Sequence, residues 1–509
     1  MAKSLFVRED WPLAQKVAEI GYCNPFEETR WKLERECLGS EYNERERAIL
    51  PGQSEELLAP NLSNLLGIAQ RLIESARRKL AKDPDGWKER DLSVYENLVH
   101  FFVFHHFMKR FDALIERSLQ NKPPTERLDF FIDCRDMLRH YLGVCSALSL
   151  EPQFEAHIFA FYYQVRRAWV NIYNFIIGGS PAINELRARI WRSSFTHNFR
   201  RYRRSLYNRM GDIVTLITGP SGTGKELIAR AVALSRFVPF DWKKAVFEVD
   251  FYQAFYPLNL SALSPTLIES ELFGHRKGAY TGALQDRRGY FEDCGPYGTV
   301  FLDEVGETDP SIQIKLLRVL QTRQFQRLGD NKLLSFSGKV MAATNRDLPT
   351  EIAKGSFRED FYFRLCADRI HTPSLKEILR EDKDELEHFV LYISLRIAGS
   401  DDGPLLADEA SSWIKSNLGL AYEWPGNFRE LEQCVRNILV HGQYNPENLK
   451  LTSREVGELK EASRQRLTAN ELLSQYAQSL YRECGSYEET AKIMQVDRRT
   501  AKRYVLGVS

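Results

Sequence analysis

Gly219-Pro220-Ser221-Gly222-Thr223-Gly224-Lys225-Glu226 is the stretch on which the reading of this chain turns. The β-branched apolar run 213–218 precedes it and Leu227-Ile228-Ala229-Arg230-Ala231-Val232 follows it, so it joins a buried strand to a helix. In that context the glycines let successive backbone N–H groups turn inward around an anion. The helix N-terminus adds a favourable dipole, and Lys225 reaches the β- and γ-phosphates of a nucleotide. The general phosphate-loop pattern closes on a Ser or Thr that binds magnesium; here Glu226 stands in that place.

Working outward, Thr299-Val300-Phe301-Leu302-Asp303-Glu304 is an apolar strand ending in two carboxylates. A nucleotide hydrolase needs this pair: one acid serves magnesium, often through water, and the next polarises the attacking water. Lys339-Val340-Met341-Ala342-Ala343-Thr344-Asn345 is another buried strand, ending in an amide. Sheets of alternating strands and helices bind ligands at the carboxyl ends of their strands, so Asn345, Asp303 and the glycine loop share one edge. Residues 176–373 therefore read as one mostly parallel α/β domain.

At 509 residues the chain has room for about three domains. A net charge of +1 excludes a globally basic nucleic-acid binder, so any basic surface is local. Eight scattered cysteines without a CxxC pair read as reduced thiols, not as disulfides or a zinc site. The N-terminus lacks the apolar core of a signal peptide, and the greasy stretches 98–108 and 155–177 read as core helices, not membrane spans.

Residues 1–175 read as helical. Leu62, Leu65, Leu66, Ala69, Leu72, Ile73, Ala76 and Leu80 keep helical spacing until Asp83-Pro84-Asp85-Gly86 breaks it. Further helices are expected over 92–118 and 155–177. Short β-branched strands alternating with helices are missing, which argues against a phosphoacceptor receiver, since that needs a parallel sheet. His100, His105, His106 and His157 have no metal-ligand spacing and read as packed or surface histidines. Arg200-Arg201-Tyr202-Arg203-Arg204 reads as a solvated helix face. The region has the size of a sensor or partner-binding domain.

With these residues in view, the chain resembles the AAA+ bacterial enhancer-binding proteins, the activators of sigma-54 RNA polymerase, over about residues 176–445. The family's phosphate loop also closes in Gly-Thr-Gly-Lys-Glu. The most diagnostic run is Glu269-Ser270-Glu271-Leu272-Phe273-Gly274-His275-Arg276-Lys277-Gly278-Ala279-Tyr280-Thr281-Gly282-Ala283, whose last six residues match the family's Gly-Ala-Phe-Thr-Gly-Ala with Tyr280 for Phe. Two glycines give a flexible tip, and one aromatic gives a large contact area at low entropic cost.

The resemblance implies that Gly278, Ala279, Tyr280, Thr281, Gly282 and Ala283 touch the sigma factor. It implies that Gly219 to Glu226 hold ATP, with Lys225 on phosphate, Asp303 on Mg2+ and Glu304 on water. Asn259, in Leu258-Asn259-Leu260-Ser261, matches the asparagine that holds the catalytic glutamate until ATP is seated; about a dozen residues near 241–255 look inserted before it. Asn345 matches the sensor of the γ-phosphate. Arg358 and Arg364, in Phe357-Arg358-Glu359-Asp360-Phe361-Tyr362-Phe363-Arg364-Leu365, match two arginines that reach the neighbouring subunit's ATP. Arg429, in Trp424-Pro425-Gly426-Asn427-Phe428-Arg429-Glu430-Leu431, matches the lid arginine that contacts nucleotide in its own subunit.

The C-terminus shows three helix starts. Thr468 with Glu471 and Ser486 with Glu489 are capping boxes, and Asp497 is a third cap. Helices are expected near 469–483, 487–494 and 498–505. The last, with Arg498, Arg499, Thr500, Lys502 and Arg503, resembles the recognition helix of a Fis-type helix-turn-helix and suits DNA phosphates and the major groove. Its turn, Met494-Gln495-Val496, lacks the family's glycine, so a left-handed Gln495 would cost up to ~1–2 kcal/mol.

The expected architecture is a mainly α N-terminal domain (1–175), an α/β phosphate-loop AAA+ domain (176–373), a small helical lid (374–445), a linker (446–466) and a helix-turn-helix (467–509). The expected function is a cytoplasmic ATPase, hexameric as in the family. It would bind upstream double-stranded DNA and remodel the sigma-54 polymerase closed complex without membrane contact. The rival readings are an AAA+ DNA-binding regulator that does not use sigma-54, and an AAA+ remodeller of another protein.

Overall fold

Thr215–Thr218, the strand that feeds the glycine loop, is β1 of a five-stranded sheet. β2 is Phe255–Asn259, β3 Thr299–Asp303, β4 Lys339–Thr344 and β5 Asp368–His371. The order is β2-β3-β4-β1-β5, and every pairing is parallel. The structure, a computed structural model, describes residues 3–44, 54–119, 127–249, 254–446 and 469–506. Residues up to Leu439 form one compact unit and residues from Val440 a second. Among the described residues no helix is long and apolar enough to cross a membrane.

A parallel sheet must be covered on both faces, and its central strands read as continuous apolar runs for that reason. All six residues of β4 are buried. One of them is Lys339. It is 2% exposed and donates to the Ile213 carbonyl at 2.6 Å. Burial lowers its pKa to about 7. The unfolded chain holds that proton up to the ordinary lysine range, so stability is fully lowered below about pH 7 and recovers as pH rises towards 10.5. Thermal unfolding from pH 7 to 9 is therefore expected to gain up to about 1.4 kcal/mol per pH unit from this residue. The check is the slope difference between the parent chain and Lys339→Met, which loses that gain.

The N-terminal layer is helical, as its periodicity predicts, with helices over Trp11–Ile20, Glu28–Leu38, Ser54–Lys82, Glu89–His106, Met108–Leu119, Phe130–Leu142 and Pro152–Phe175. The single helix expected over 92–118 is two, because the chain breaks at Phe107. Helix Pro181–Phe195 and the turns through Leu206 extend the helical part to the start of the sheet domain.

This layer shares a core with the sheet domain. The hairpin Phe240–Asp241/Val246–Phe247, which opens the apparent insertion, packs Phe240 against Phe131 and Phe159, and Phe247 against Tyr163. The Ala245 carbonyl accepts the Leu128 N–H at 2.8 Å. The insertion is thus a docking hairpin, and fused aromatic pairs of this kind hold two layers as one body.

The lid comprises helices Leu375–Glu381, Glu385–Asn417, interrupted at Gly399, and Asn427–His441. Ser374 and Glu377 close a full capping box on the first.

In the second unit, helices Ala469–Cys484, Tyr487–Met494 and Arg498–Leu506 match the expected spans closely. Gln495 does adopt the left-handed conformation, with φ 55°. Asp497 caps the third helix, accepting from the Arg499 and Thr500 N–H groups at 2.9 and 3.0 Å. Ser486 departs from the expected capping box: its hydroxyl accepts from Glu488 instead of Glu489. Thr468 lies outside the described residues.

Candidate functional site

β1 ends at Thr218 and the chain turns through residues 219–224 into helix Lys225–Ala233, so the expected strand, loop and helix stand in order. Gly222 has φ 78°, and a Cβ there would strike the Gly426 carbonyl of the lid. Only glycine gives both the turn and that approach. Thr223 Oγ1 donates to the Pro220 carbonyl at 2.8 Å and lies 2.6 Å from Thr372 Oγ1. Lys225 Nζ donates to the Gly219 and Pro220 carbonyls at 3.2 Å each. Burial lowers its pKa, against the raising fields of Glu304 and Asp303. A buried lysine whose hydrogen-bond partners, among the described residues, are carbonyls favours a dianionic phosphate.

Asp303 ends β3 beside this lysine. Burial raises its pKa, with the Glu226 charge adding and the Glu304 N–H, Lys225 and Arg429 opposing. A carboxylate short of compensation suits a cation. Mg2+ keeps several waters and takes one or two carboxylates plus substrate phosphates, so a single Asp303 fits it. Among the described residues no group of three or more His, Cys, Asp or Glu gathers as a metal site. Glu226 pairs with Arg230 at 3.5 Å one turn on.

Glu304 is left-handed, φ 54° and ψ 45°. A non-glycine residue pays for that conformation and holds it only where its surroundings fix it. Its Oε2 accepts from the Asn345 backbone N–H at 3.4 Å, which ties the end of β4 to the end of β3. Asn259 is the register partner of Asp303, but its side chain accepts from Ser261 N and Oγ at 2.9 and 2.8 Å and does not hold Glu304.

The lid closes on the loop. Asn427, at φ 54°, donates to the Ser221 carbonyl and accepts from Leu375 N–H, each at 2.9 Å. Phe428 N–H donates to the Gly222 carbonyl at 3.1 Å, and Arg429 Nη1 donates to Ser221 Oγ at 3.1 Å. Asn427 and Thr372 are site residues that sequence reasoning passed over. Asparagine's tolerance of the left-handed region inside a Pro-Gly-Asn turn was the available signal for the first. Nothing local marks Thr372.

Arg358 and Arg364 do not join this cluster within the chain. Arg358 is exposed and pairs through two nitrogens with Asp360, at 3.0 and 2.7 Å. Arg364 donates twice to the Leu320 carbonyl, at 3.1 and 2.9 Å, near the end of helix Pro310–Thr322.

The loop Gly278–Ala283 hangs between helix Pro265–Phe273 and the short helix Tyr290–Asp293. Gly278 N–H donates to the Ala283 carbonyl at 2.8 Å, closing the tip, and neither Gly278 nor Gly282 is crowded. Tyr280 is folded back. Its ring lies edge-on to His275 with centroids 5.1 Å apart, and its hydroxyl is 3.4 Å from Ser270 Oγ, itself 2.8 Å from His275 Nδ1. Leu284, directly after, is 82% exposed. Tyr280→Phe removes one hydroxyl contact and is expected to speed amide hydrogen exchange across 278–283 by about 2–10-fold. Unchanged exchange there would show that the hydroxyl holds nothing.

In the second unit Ala501 is buried, while Arg498, Arg499, Lys502 and Arg503 are exposed and Thr500 is half-buried. Arg498 pairs with Glu488 at 3.6 Å.

Residues 193–371 match the family described as the sigma-54 interaction domain. The Nif-specific regulatory protein of Azotobacter vinelandii is 44% identical over 225 residues, 44% of this chain and 39% of its own. The hydrogenase transcriptional regulatory protein HoxA of Bradyrhizobium diazoefficiens is 41% identical over 243 residues, 45% and 43% of the two chains. The transcriptional regulatory protein ZraR of Escherichia coli is 40% identical over 238 residues, 46% and 49% of the two chains. The match spans less than half the length of these relatives. A crystal structure of NtrX from Brucella abortus in complex with ATP aligns with 78% of this chain and 86% of its own. Its identity is 21% and its TM-score 0.41, too low for a shared whole-chain arrangement. The central part of this chain, residues 193–371, is thus similar to the sigma-54 interaction domain.

Proposed function

We propose that this protein is a sigma-54-dependent transcriptional regulator that hydrolyses ATP in a ring and uses the cycle to remodel the polymerase closed complex. One observation carries the reading: a nucleotide-type site and the aromatic-tipped loop lie on one continuous path of structure. β2 ends at Asn259 beside Asp303, and the turn Leu260–Ala262 packs on the turn Val305–Glu307 that follows Glu304. The chain then runs through helix Pro265–Phe273 to Ser270, which contacts Tyr280. A change at Glu304 is thereby felt at the base of the loop.

In this reading Lys225 and the loop amides bind the phosphates of ATP, and Asp303 with substrate phosphates holds Mg2+, which offsets negative charge there. Glu304 orients and deprotonates the attacking water. Asn345 senses the γ-phosphate, Arg429 reports it to the lid, and Arg358 comes from the neighbouring subunit. Asn259 takes Glu304 in one stage of the cycle and Ser261 in another. Arg498, Arg499, Thr500, Lys502 and Arg503 hold upstream DNA, and residues 1–175 regulate the ATPase. The whole works in the cytoplasm. Support comes from the exposed guanidinium of Arg358, the four exposed cations of the last helix, and the family of residues 193–371.

The test is ATP turnover per subunit against concentration of the full chain. A steep rise is expected, because each site needs two subunits. A flat rate would remove the ring.

A further inference from the structure

Away from the nucleotide site, the helical layer encloses a cavity of about 800 Å³, a size that suits a small organic ligand. Its wall is aromatic, with Trp31, Phe104, Trp169, Tyr173 and Trp191 among its lining side chains. Three guanidiniums line it, each engaged by a carboxylate. Arg30 donates to Glu34 at 2.7 Å, Arg166 to Asp112 at 2.9 Å, and Arg203 to Glu96 at 3.2 Å. The supposedly solvated basic stretch is thus partly turned inward at Arg203. Four cations, the exposed Lys109 and these three guanidiniums, disfavour a cationic guest, and the carboxylates already engaging the guanidiniums leave them no open clamp for an anion. The aromatic wall suits a neutral guest.

Three histidines of one helix line the same space; His106 is exposed, and the other two differ. His100 is saturated: Nδ1 lies 2.7 Å from the Tyr162 hydroxyl and Nε2 3.3 Å from Glu96 Oε1. His105 Nδ1 lies 2.7 Å from the Phe101 carbonyl. A carbonyl only accepts, so Nδ1 carries the proton and Nε2 is an acceptor. Among the described residues Nε2 has no hydrogen-bond partner. Burial, with Arg30 and Arg166 nearby, holds the His105 pKa down at about 3, so the ring stays neutral at physiological pH.

We propose that this cavity binds a neutral aromatic molecule of two or more rings carrying an O–H or N–H group, which donates to His105 Nε2. Flat rings fit an aromatic wall by offset and edge contacts, and the unpartnered His105 Nε2 among them favours a donor. The site has a route to the phosphate loop. Helix Pro152–Phe175 gives Phe161 and Trp169 to the cavity. The same helix gives Gln164 and Asn171, which donate to the Ser235 and Leu234 carbonyls at 2.9 and 3.2 Å, just past the helix that begins at Lys225. A guest that repacks this helix alters nucleotide affinity, and nucleotide alters guest affinity equally. That consequence rests on the proposed function, whereas binding itself does not.

The experiment titrates the full chain, without nucleotide, with 2-naphthol and with its methyl ether 2-methoxynaphthalene, by calorimetry. One saturable site with about tenfold preference for the naphthol is expected. His105→Phe, which keeps a ring but no acceptor, is expected to bring the ratio near one. Absence of saturable binding, equal affinity of the native chain for both probes, or a preference that survives in His105→Phe would each overturn the proposal. The comparison on the native chain needs no variant and stands even if His105→Phe fails to fold.

Discussion

Arg358→Ala protein is expected to hydrolyse ATP about 10³-fold more slowly than the parent while keeping its fold and its affinity for ATP. The guanidinium is exposed and, among the described residues, pairs with Asp360 and with no phosphate-loop residue of its own chain. A cation so placed adds little to stability, because exposed ion pairs contribute roughly 0–1 kcal/mol. It adds much to catalysis once a neighbour's γ-phosphate lies against it, by offsetting charge that develops in the transition state. Arg364 behaves differently. Both its bonds go to the Leu320 carbonyl, so Arg364→Ala is expected to lower stability as well as rate. Mixing separates a shared site from a private one. Arg358→Ala subunits combined with Lys225→Ala subunits are expected to regain part of the activity that each lacks alone, since some junctions then pair an intact Lys225 with an intact Arg358. An Arg358→Ala chain that turns over normally at every concentration would contradict the trans assignment.

Glu304→Gln is expected to bind ATP with near-parent affinity and to hydrolyse it on the order of 10²–10⁴-fold more slowly, the range a positioned general base supplies. The amide keeps the size of the carboxylate and the bond from Asn345, so the left-handed backbone at 304 is undisturbed. Lys225→Ala should fail one step earlier, at binding, because the buried Lys225 is the cation the loop offers to the phosphates. Measuring ATP affinity and single-turnover hydrolysis on both variants distinguishes the roles. Normal turnover by Glu304→Gln would reassign the base.

The candidate nucleotide site was legible in the sequence where its chemistry is local. Strand, glycine loop and lysine are contiguous, and Asp303 with Glu304 ends an unmistakable apolar strand. The parallel pairing of the sheet follows from the same alternation. What stayed hidden depends on contacts between distant residues. Thr372 reaches Thr223 only because β5 lies beside β1. The residues after 240 looked like an insertion, and the folded chain uses their hairpin to dock the helical layer. Arg203 sits in a run of five with four basic residues, and only packing reveals that it turns towards Glu96 while Arg200 pairs with Glu19 at the surface. His105 could not be told from its neighbours by spacing, since its character comes from the Phe101 carbonyl and the cavity wall.

Capture of the full chain on immobilised sigma-54 tests the central claim most directly, compared without nucleotide, with ADP, and with ADP plus aluminium fluoride. The account predicts retention with aluminium fluoride alone and its loss in Tyr280→Ala, whose loop has no ring to present. A chain that is captured equally in all three states, or in none, or that Tyr280→Ala leaves unaffected, would contradict it.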